Sequence, residues 1–420
     1  MDKNIWILHH YATPPSMSGL TRPYEFSKEL KKKGYKTTVF SSAYLHYTGE
    51  NLITDKKKYI KYSYEGIPFV FVRSPGYKTN GISRVRNMLV FFYNLLSVSK
   101  SLLKTLEKPD VIYASSPHPL TLIAGIFLGK RLQIPCICEV RDLWPETIVE
   151  FSILKKNSIF AKLLYQGEKW IYTKADKLIF TMEGGKDYIA NQGWDMEHGG
   201  KIDLNKVYHI NNGIDLIAFD KHVKDNPYHD SDLDNLNTFK VIYAGSIRKA
   251  NDLGLIIDAA KYVHSNSDKN IKFLIFGEGD EKERLQKKCI DEKINNVLFK
   301  GRVEKSYIPN ILSKSDLNIL NYTNRNILKY GGSQNKNFEY LASGKPILST
   351  IRMGYNIIEK YNAGISLQSQ TAESIGKAII LFANMEKNKY EKMSKNAREA
   401  AKDYDFKILT EKLISIIEEA

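Results

Sequence analysis

The sequence predicts an α/β protein made of two Rossmann-like, doubly wound domains facing a central cleft. Three observations carry that expectation. Short apolar runs alternate with helical patterns through both halves, the spacing of βαβ units and hence of parallel sheets. One polar, acidic stretch over about 214–240 separates the two series and reads as a linker. At 420 residues the chain is too long for one core.

In the first half, Ile5 to His9 reads as a strand, followed by a polar loop over 11–20 and a helix opening at Thr21 or Arg22. Strands are expected at Thr37–Ser41, Phe69–Val72, Val111–Ala114, Cys136–Val140, Leu178–Thr181 and Val207–Ile210. The stretch 84–106 is a long amphipathic helix. Its apolar stripe reads as a sheet-covering face or, with its basic ends, as a patch resting on an anionic membrane. In the second half, strands at Phe239–Ala244, Ile271–Phe276, Val297–Lys300, Leu317–Leu320, 347–350 and Ala363–Leu367 alternate with helices over 252–264, 280–292 and 304–314. A last helix covers Lys407–Glu418.

Composition narrows the class. The net charge of +15 points to polyanions: nucleic acid, nucleotide phosphates or an anionic membrane face. Nucleic acid is not expected as a partner, because the basic residues are spread along the chain without aromatic interleaving. Cys136, Cys138 and Cys289 form no even disulfide framework and read as reduced core thiols of a cytoplasmic protein. The N-terminus has too short an apolar run for a signal peptide, and no run of about 18 apolar residues predicts a membrane span.

Chemistry concentrates at loops that follow strands. In Tyr243-Ala-Gly-Ser-Ile-Arg-Lys249 a strand ends at Gly245, and Arg248 and Lys249 stand beside a helix start capped by Asn251 or Asp252. Both charges and the helix dipole favour a diphosphate there. In Gly331-Gly-Ser-Gln-Asn-Lys-Asn-Phe-Glu339 a Gly pair makes a turn, Ser333 suits a helix N-cap, and Lys336 and Glu339 share a helix face. Such a cation and carboxylate can hold a phosphate and a ribose hydroxyl pair, or simply pair with each other. Gly277-Glu-Gly279 and Gly301-Arg-Val303 follow strands but read as tight turns, since no third spaced glycine completes a dinucleotide motif. In the first half, Ser116-Pro-His-Pro119 presents His118 from a Pro-bracketed loop as a hydrogen-bond or proton carrier. Glu139-Val-Arg-Asp-Leu-Trp-Pro-Glu146 reads as an ion-paired loop with Trp144 in the core, and without His or Cys at ligand spacing it predicts no metal.

Together these motifs, with His9-His10-Tyr11, a Pro-rich loop containing Gly19, and Ile210-Asn-Asn-Gly-Ile-Asp215, resemble glycosyltransferase family 4 over nearly the whole chain. These are retaining enzymes of the GT-B fold, and the match is to the bacterial branch that builds O-antigen and capsule. The resemblance implies an acceptor domain over 1–214, a nucleotide-sugar domain over 215–395, and a segment over 396–420 crossing back to the first domain. It implies no cofactor and no metal, a nucleoside-diphosphate sugar (UDP foremost) as donor and a lipid-linked or glycan acceptor. The surplus positive charge is expected to serve the anionic inner face of the cell membrane. By position, Arg248 and Lys249 hold the diphosphate, Glu339 the ribose, and His118 lies near the transferred sugar. Gly19, Gly245, Gly277, Val303, Gly331, Gly332, Ser333 and Lys336 complete the donor side, and His10, Tyr11, Arg141 and Asp142 are acceptor-side candidates. One position departs from the family: the two-glutamate motif expects Glu eight residues before Glu339, and Gly331 stands there. Alternatives on the residues alone are a nucleotide-sugar 2-epimerase of the same fold, a tandem Rossmann oxidoreductase, and a non-enzymatic basic nucleic-acid binder.

Overall fold

The computed structural model describes residues 3–17, 19–78 and 81–420, so Met1, Asp2 and Ser18, which fall in the N-terminal stretch and the 11–20 loop, lie outside it. The chain forms two compact units, residues 1–211 with 406–420, and residues 212–405.

The first unit runs β1 (Asn4–Leu8), α1 (Arg22–Lys32), β2 (Lys36–Ser42), β3 (Tyr59–Tyr64), β4 (Ile67–Val72), α2 (Ile82–Leu102), β5 (Val111–Ser115), α3 (Pro119–Leu132), β6 (Cys136–Val140), α4 (Glu146–Glu150), α5 (Ile159–Lys174), β7 (Lys177–Phe180), α6 (Gly185–Asn191) and β8 (Val207–His209). Its eight strands are ordered β3-β4-β2-β1-β5-β6-β7-β8. All pairings are parallel except β3 with β4. β1, β5 and β6 are buried along their whole length, which is why they read as continuous apolar runs. β3 escaped the sequence reading: it is a half-exposed edge strand with Lys61 and Ser63 facing out. A signal was present in Glu65-Gly66, whose φ values of 51° and 71° make the two-residue hairpin turn that favours Gly at its second position.

The second unit runs α7 (Leu216–Asp225), β9 (Phe239–Ala244), α8 (Leu253–Asn266), β10 (Ile271–Phe276), α9 (Lys282–Asp291), β11 (Val297–Gly301), α10 (Ile308–Ser313), β12 (Leu317–Leu320), α11 (Asn335–Ala342), β13 (Ile347–Ser349), α12 (Ile357–Lys360), β14 (Gly364–Ser366), α13 (Ala372–Ala383) and α14 (Lys387–Asp403). Its sheet is wholly parallel, in the order β11-β10-β9-β12-β13-β14.

Three expectations need correction here. The stretch 214–240 is no linker: Asp215 caps α7 by accepting the Ala218 N–H, and Leu216, Phe219 and Leu233 are core residues. Its acidic run meets Lys272, Lys300 and Lys314 through Asp232, Asp230 and Asp234 at 2.6–2.7 Å. The units also divide at Asn211/Asn212 rather than after 214. The break placed at 395/396 falls inside α14, and only α15 (Phe406–Glu418) rejoins the first unit. There Phe406, Leu409, Leu413, Ile416 and Ile417 enter the core beside Phe26 and Leu30 of α1. Cys136, Cys138 and Cys289 are free, buried thiols. Among the described residues, no helix is long and apolar enough to cross a membrane.

Candidate functional site

In an open parallel sheet the strand order reverses at one point, and the loops leaving the carboxyl ends of the two strands there splay apart to leave a crevice. In the second unit that point lies between β9 and β12. The loop after β9 carries Gly245, Arg248 and Lys249, and Tyr322 follows β12. Arg248 and Lys249 are exposed, and neither side chain has a hydrogen bond or ion pair among the described residues. The loop beneath them is fixed. Asn321 Nδ2 donates to the carbonyls of Asn251 (2.7 Å) and Asp252 (2.9 Å), and the Thr323 N–H donates to Ala250 O. The expected cap is absent, however: Asp252 stands at the N-cap of α8 without a side-chain bond, while Asn251 Oδ1 accepts from Ser246 Oγ.

Glycine is required by close approach at two neighbouring loops. The Gly245 N–H donates to Phe276 O at 2.9 Å and the Gly277 N–H to Gly301 O at 2.8 Å. A Cβ on Gly277 would lie 1.8 Å from Gly245 O, and one on Gly245 would lie 2.8 Å from Lys336 Nζ. The Gly277-Glu-Gly279 turn thus packs loop backbone against loop backbone. Val303 is half-buried against the cluster holding Leu216, Phe276 and Ile311.

Lys336, on the first turn of α11, reaches Gly245 from the other side. Its amine donates to Tyr243 Oη at 2.9 Å and lies 4.3 Å and 4.8 Å from the ring centres of Tyr243 and Tyr322. Burial lowers its pKa to about 7, partly opposed by Glu339. Glu339 makes no ion pair with Lys336 and has no hydrogen-bond partner for its carboxylate among the described residues. Burial pushes its pKa up, against the pull of Lys305 and Lys336. Gln334 Oε1 and both side-chain polar atoms of Asn337 are also buried without a partner. Ser333 does not cap α11. Gln334 occupies the N-cap position, and Ser333 Oγ instead accepts the Asn212 N–H at 2.7 Å. Gly331, with φ of 92°, ends the preceding turn, and a Cβ on Gly332 would lie 2.6 Å from Met353 Sδ. Tyr243 and Tyr322, the walls around Lys336, were missed in the sequence, although Tyr243 lies two residues before Gly245.

In the first unit the reversal lies between β1 and β5. Their loops bring His10 and His118 together, with His118 Nε2 and His10 Nδ1 2.8 Å apart. His10 Nε2 in turn meets Asn87 Oδ1 at 2.8 Å. Because Asn87 Oδ1 only accepts, the chain of donors runs from His118 through His10 to Asn87, leaving His118 Nδ1 as a bare lone pair. That atom is buried and unpartnered, and His118 is 1% exposed. The expected presented histidine is therefore an interior one, its pKa lowered to about 3 by burial and then by Arg84. Tyr11 stacks on His46 at 5.1 Å and accepts from Arg84 Nε at 3.3 Å. Gly19 packs on Thr13, with a Cβ there falling 2.3 Å from Thr13 Oγ1.

The stretch 139–146 divides. Glu139 is a fully buried strand residue paired with Arg22 (2.6 Å), which also donates to the carbonyls of Ile210 and Asn211. Arg141 is half-buried with Nη1 3.0 Å from His9 Nε2, Asp142 is exposed, and Trp144 is half-buried rather than in the core.

Comparison with known proteins agrees with this architecture. Residues 21–217 match the model of Glycosyltransferase Family 4, and residues 226–400 match that of Glycosyl transferases group 1. The chain is 22% identical to the probable glycosyltransferase WbjE of Pseudomonas aeruginosa over 66% of its own length and 65% of that relative's. It is 23% identical to an uncharacterized glycosyltransferase of Methanocaldococcus jannaschii, covering 87% of this chain and 86% of the other. Among solved structures, Anabaena HepE in complex with UDP and glucose superposes over 100% of both chains at 13% identity, with a TM-score of 0.66. An E. coli protein described as trehalose-6-phosphate bound with UDP-2-fluoro glucose superposes over 99% of both chains at 12% identity and 0.73.

Proposed function

Because the chain belongs to glycosyltransferase family 4 and has the GT-B fold, we propose that it transfers a sugar from a nucleoside diphosphate, UDP foremost, to an acceptor hydroxyl. The sugar is read as an N-acetylated hexose or deoxyhexose. The acceptor is read as lipid-linked or polysaccharide, within O-antigen or capsule synthesis, and the enzyme as peripheral on the inner face of the cell membrane.

The observation that carries this reading is a concentration of unsatisfied polar groups in the second unit. Arg248, Lys249 and the Glu339 carboxylate have no protein partner among the described residues, and Gln334 Oε1 and the Asn337 amide lie buried and unbonded nearby in sequence. Leaving the buried Gln334 and Asn337 atoms unpaired costs about 1–3 kcal/mol each. With exposed Arg248 and Lys249 free of protein partners in the same unit, a ligand that satisfies these groups explains the arrangement best. A diphosphate suits Arg248, Lys249 and Lys336, and a ribose diol suits Glu339.

Transfer breaks the bond between the anomeric carbon and the phosphate oxygen, and the electron pair leaves with the nucleoside diphosphate. Arg248, Lys249 and Lys336 stabilise that developing charge. The acceptor hydroxyl adds to the anomeric carbon from the face the phosphate leaves, and its proton passes to the departing phosphate. The configuration is thereby retained and no metal is called for. With Glu absent at Gly331, and the Gly331 N–H already donating to Leu328 O at 2.9 Å, the backbone N–H of Gly332 takes over that residue's contact with the sugar.

The test is a thermal-shift screen with UDP, GDP, ADP, dTDP, CMP and NAD. A ligand at 100 times its Kd adds about 2.7 kcal/mol of stability. One nucleoside diphosphate is expected to stabilise the wild type but not Arg248→Ala or Glu339→Ala. Stabilisation by NAD alone, or by none of the six, would remove the basis of this reading.

A further inference from the structure

Helix α5 has two apolar faces. Ala161, Glu168, Ile171 and Tyr172 are buried against the first unit. Glu168, the only acidic residue of the helix, lies inside, accepting hydrogen bonds from Tyr172 (2.6 Å) and Tyr188 (2.7 Å). On the opposite side, Ile159 and Leu163 stand one turn apart as a short second stripe, while Trp170 further along the helix packs edge-on against Phe127 at 6.0 Å. Ile159 is 80% exposed, Phe160 61% and Leu163 64%, and Ile153 in the preceding loop is 77% exposed. A soluble helix gains nothing by setting such side chains in water, and their grouping is what marks a docking surface.

Charge selects the occupant. Lys155, Lys156 and Lys162 are exposed among these apolar residues, and only Lys156 approaches a carboxylate, that of Glu146 at 3.6 Å. A second copy of this chain docked symmetrically on the stripe would bring these lysines face to face. An anionic bilayer instead takes the apolar residues below its headgroups and the lysines at its surface. The stripe is placed to serve the site. Ser158 caps α5 by accepting the Ala161 N–H, and α5 leaves the carboxyl edge of the sheet, the same edge that carries His10 and Tyr11.

We propose that residues 153–163 form a membrane-docking wedge that inserts Ile159, Phe160 and Leu163 into an anionic lipid surface. The inference rests on the reading above that the acceptor is lipid-linked, and it assigns the contact to a segment that the sequence reading passed over in favour of α2.

Flotation of the full chain with phosphatidylglycerol-containing vesicles and with neutral phosphatidylcholine vesicles tests it. Wild type is expected to float with the anionic vesicles, at least tenfold less with neutral ones. The double variant Phe160→Ser/Leu163→Ser and the charge variant Lys155→Glu/Lys162→Glu are each expected to lower anionic binding at least tenfold, while keeping the wild-type thermal shift with nucleotide. The wedge is overturned if wild type ignores anionic vesicles, or if Phe160→Ser/Leu163→Ser binds them as wild type does. It is equally overturned if wild type is a dimer that this variant converts to monomer. Vesicle binding that persists with no nucleotide shift would count against the transferase reading alone and leave the wedge standing.

Discussion

Two sets of oppositely charged residues, one in each unit, have opposite fates. Arg22 and Glu139 lie 117 positions apart in sequence and are fully buried, yet every charge is answered. Glu139 accepts from Arg22, Tyr113 and Ser115 at 2.5–2.9 Å, and Arg22 also donates to two carbonyls. Lys336 and Glu339 are three residues apart on one helix and make no ion pair. Sequence proximity predicted the second pair and concealed the first. Lys336 meets only the Tyr243 phenol and two aromatic rings, and the Glu339 carboxylate meets no protein group among the described residues. A charge the protein itself neutralises is part of the fold, whereas one without a counter-charge beside a crevice is poised for a ligand.

Removing one partner of the satisfied pair should have the largest effect. Arg22→Leu strands the Glu139 carboxylate and is expected to cost about 3–5 kcal/mol of folding stability, read by denaturant titration. A loss below about 1 kcal/mol would mean that water reaches Glu139. In the second unit the balance should reverse. Glu339→Gln removes no protein contact, so stability should change by less than about 0.5 kcal/mol, while nucleotide affinity measured by calorimetry should fall by about 1.5–3 kcal/mol, the worth of hydrogen bonds to a charged group. Equal losses in both would erase the distinction between the two pairs.

The smallest effect is a pH dependence of Lys336. Its pKa of about 7 in the free protein lies below the unfolded value near 10.5, so between these the unfolded chain holds a proton the folded chain lacks, and this group's contribution to stability rises with pH. A bound diphosphate favours the ammonium form. Nucleotide affinity should therefore weaken as pH climbs above 7, by up to about tenfold per unit. Calorimetry in two buffers of different ionisation heat should show proton uptake on binding at pH 8, and Lys336→Gln should abolish both the uptake and the slope.

Strands buried on both faces were legible in the sequence because burial leaves an unbroken apolar run. β6, β9, β10 and β12 fall on the expected residues. β3 was not, since an edge strand exposing Lys61 shows no such run. The acidic stretch before β9 misled because its three lysine partners lie 40 to 80 positions away. At the site, Arg248 and Lys249 could be read from a strand followed by glycine and basic residues, while Ser333 could not. Its bond to Asn212 depends on chain 121 residues distant. The stripe on α5 was invisible for a simpler reason, that an outward apolar face has the same period as an inward one.

The return of α15 to the first unit also sets a timetable. A chain emerging from the ribosome presents residues 1–211 first, yet that unit's core lacks Phe406, Leu409, Leu413 and Ile416 until the whole of residues 212–405 has followed. At about 5–20 residues per second, synthesis of that interval takes roughly 10–40 s. Throughout it, the face of α1 that carries Phe26 and Leu30 stands uncovered, while the second unit, continuous in sequence, can close as soon as it is made. The domain synthesised first is thus the last to be finished, and its open flank is the place where a chaperone would find this protein during translation.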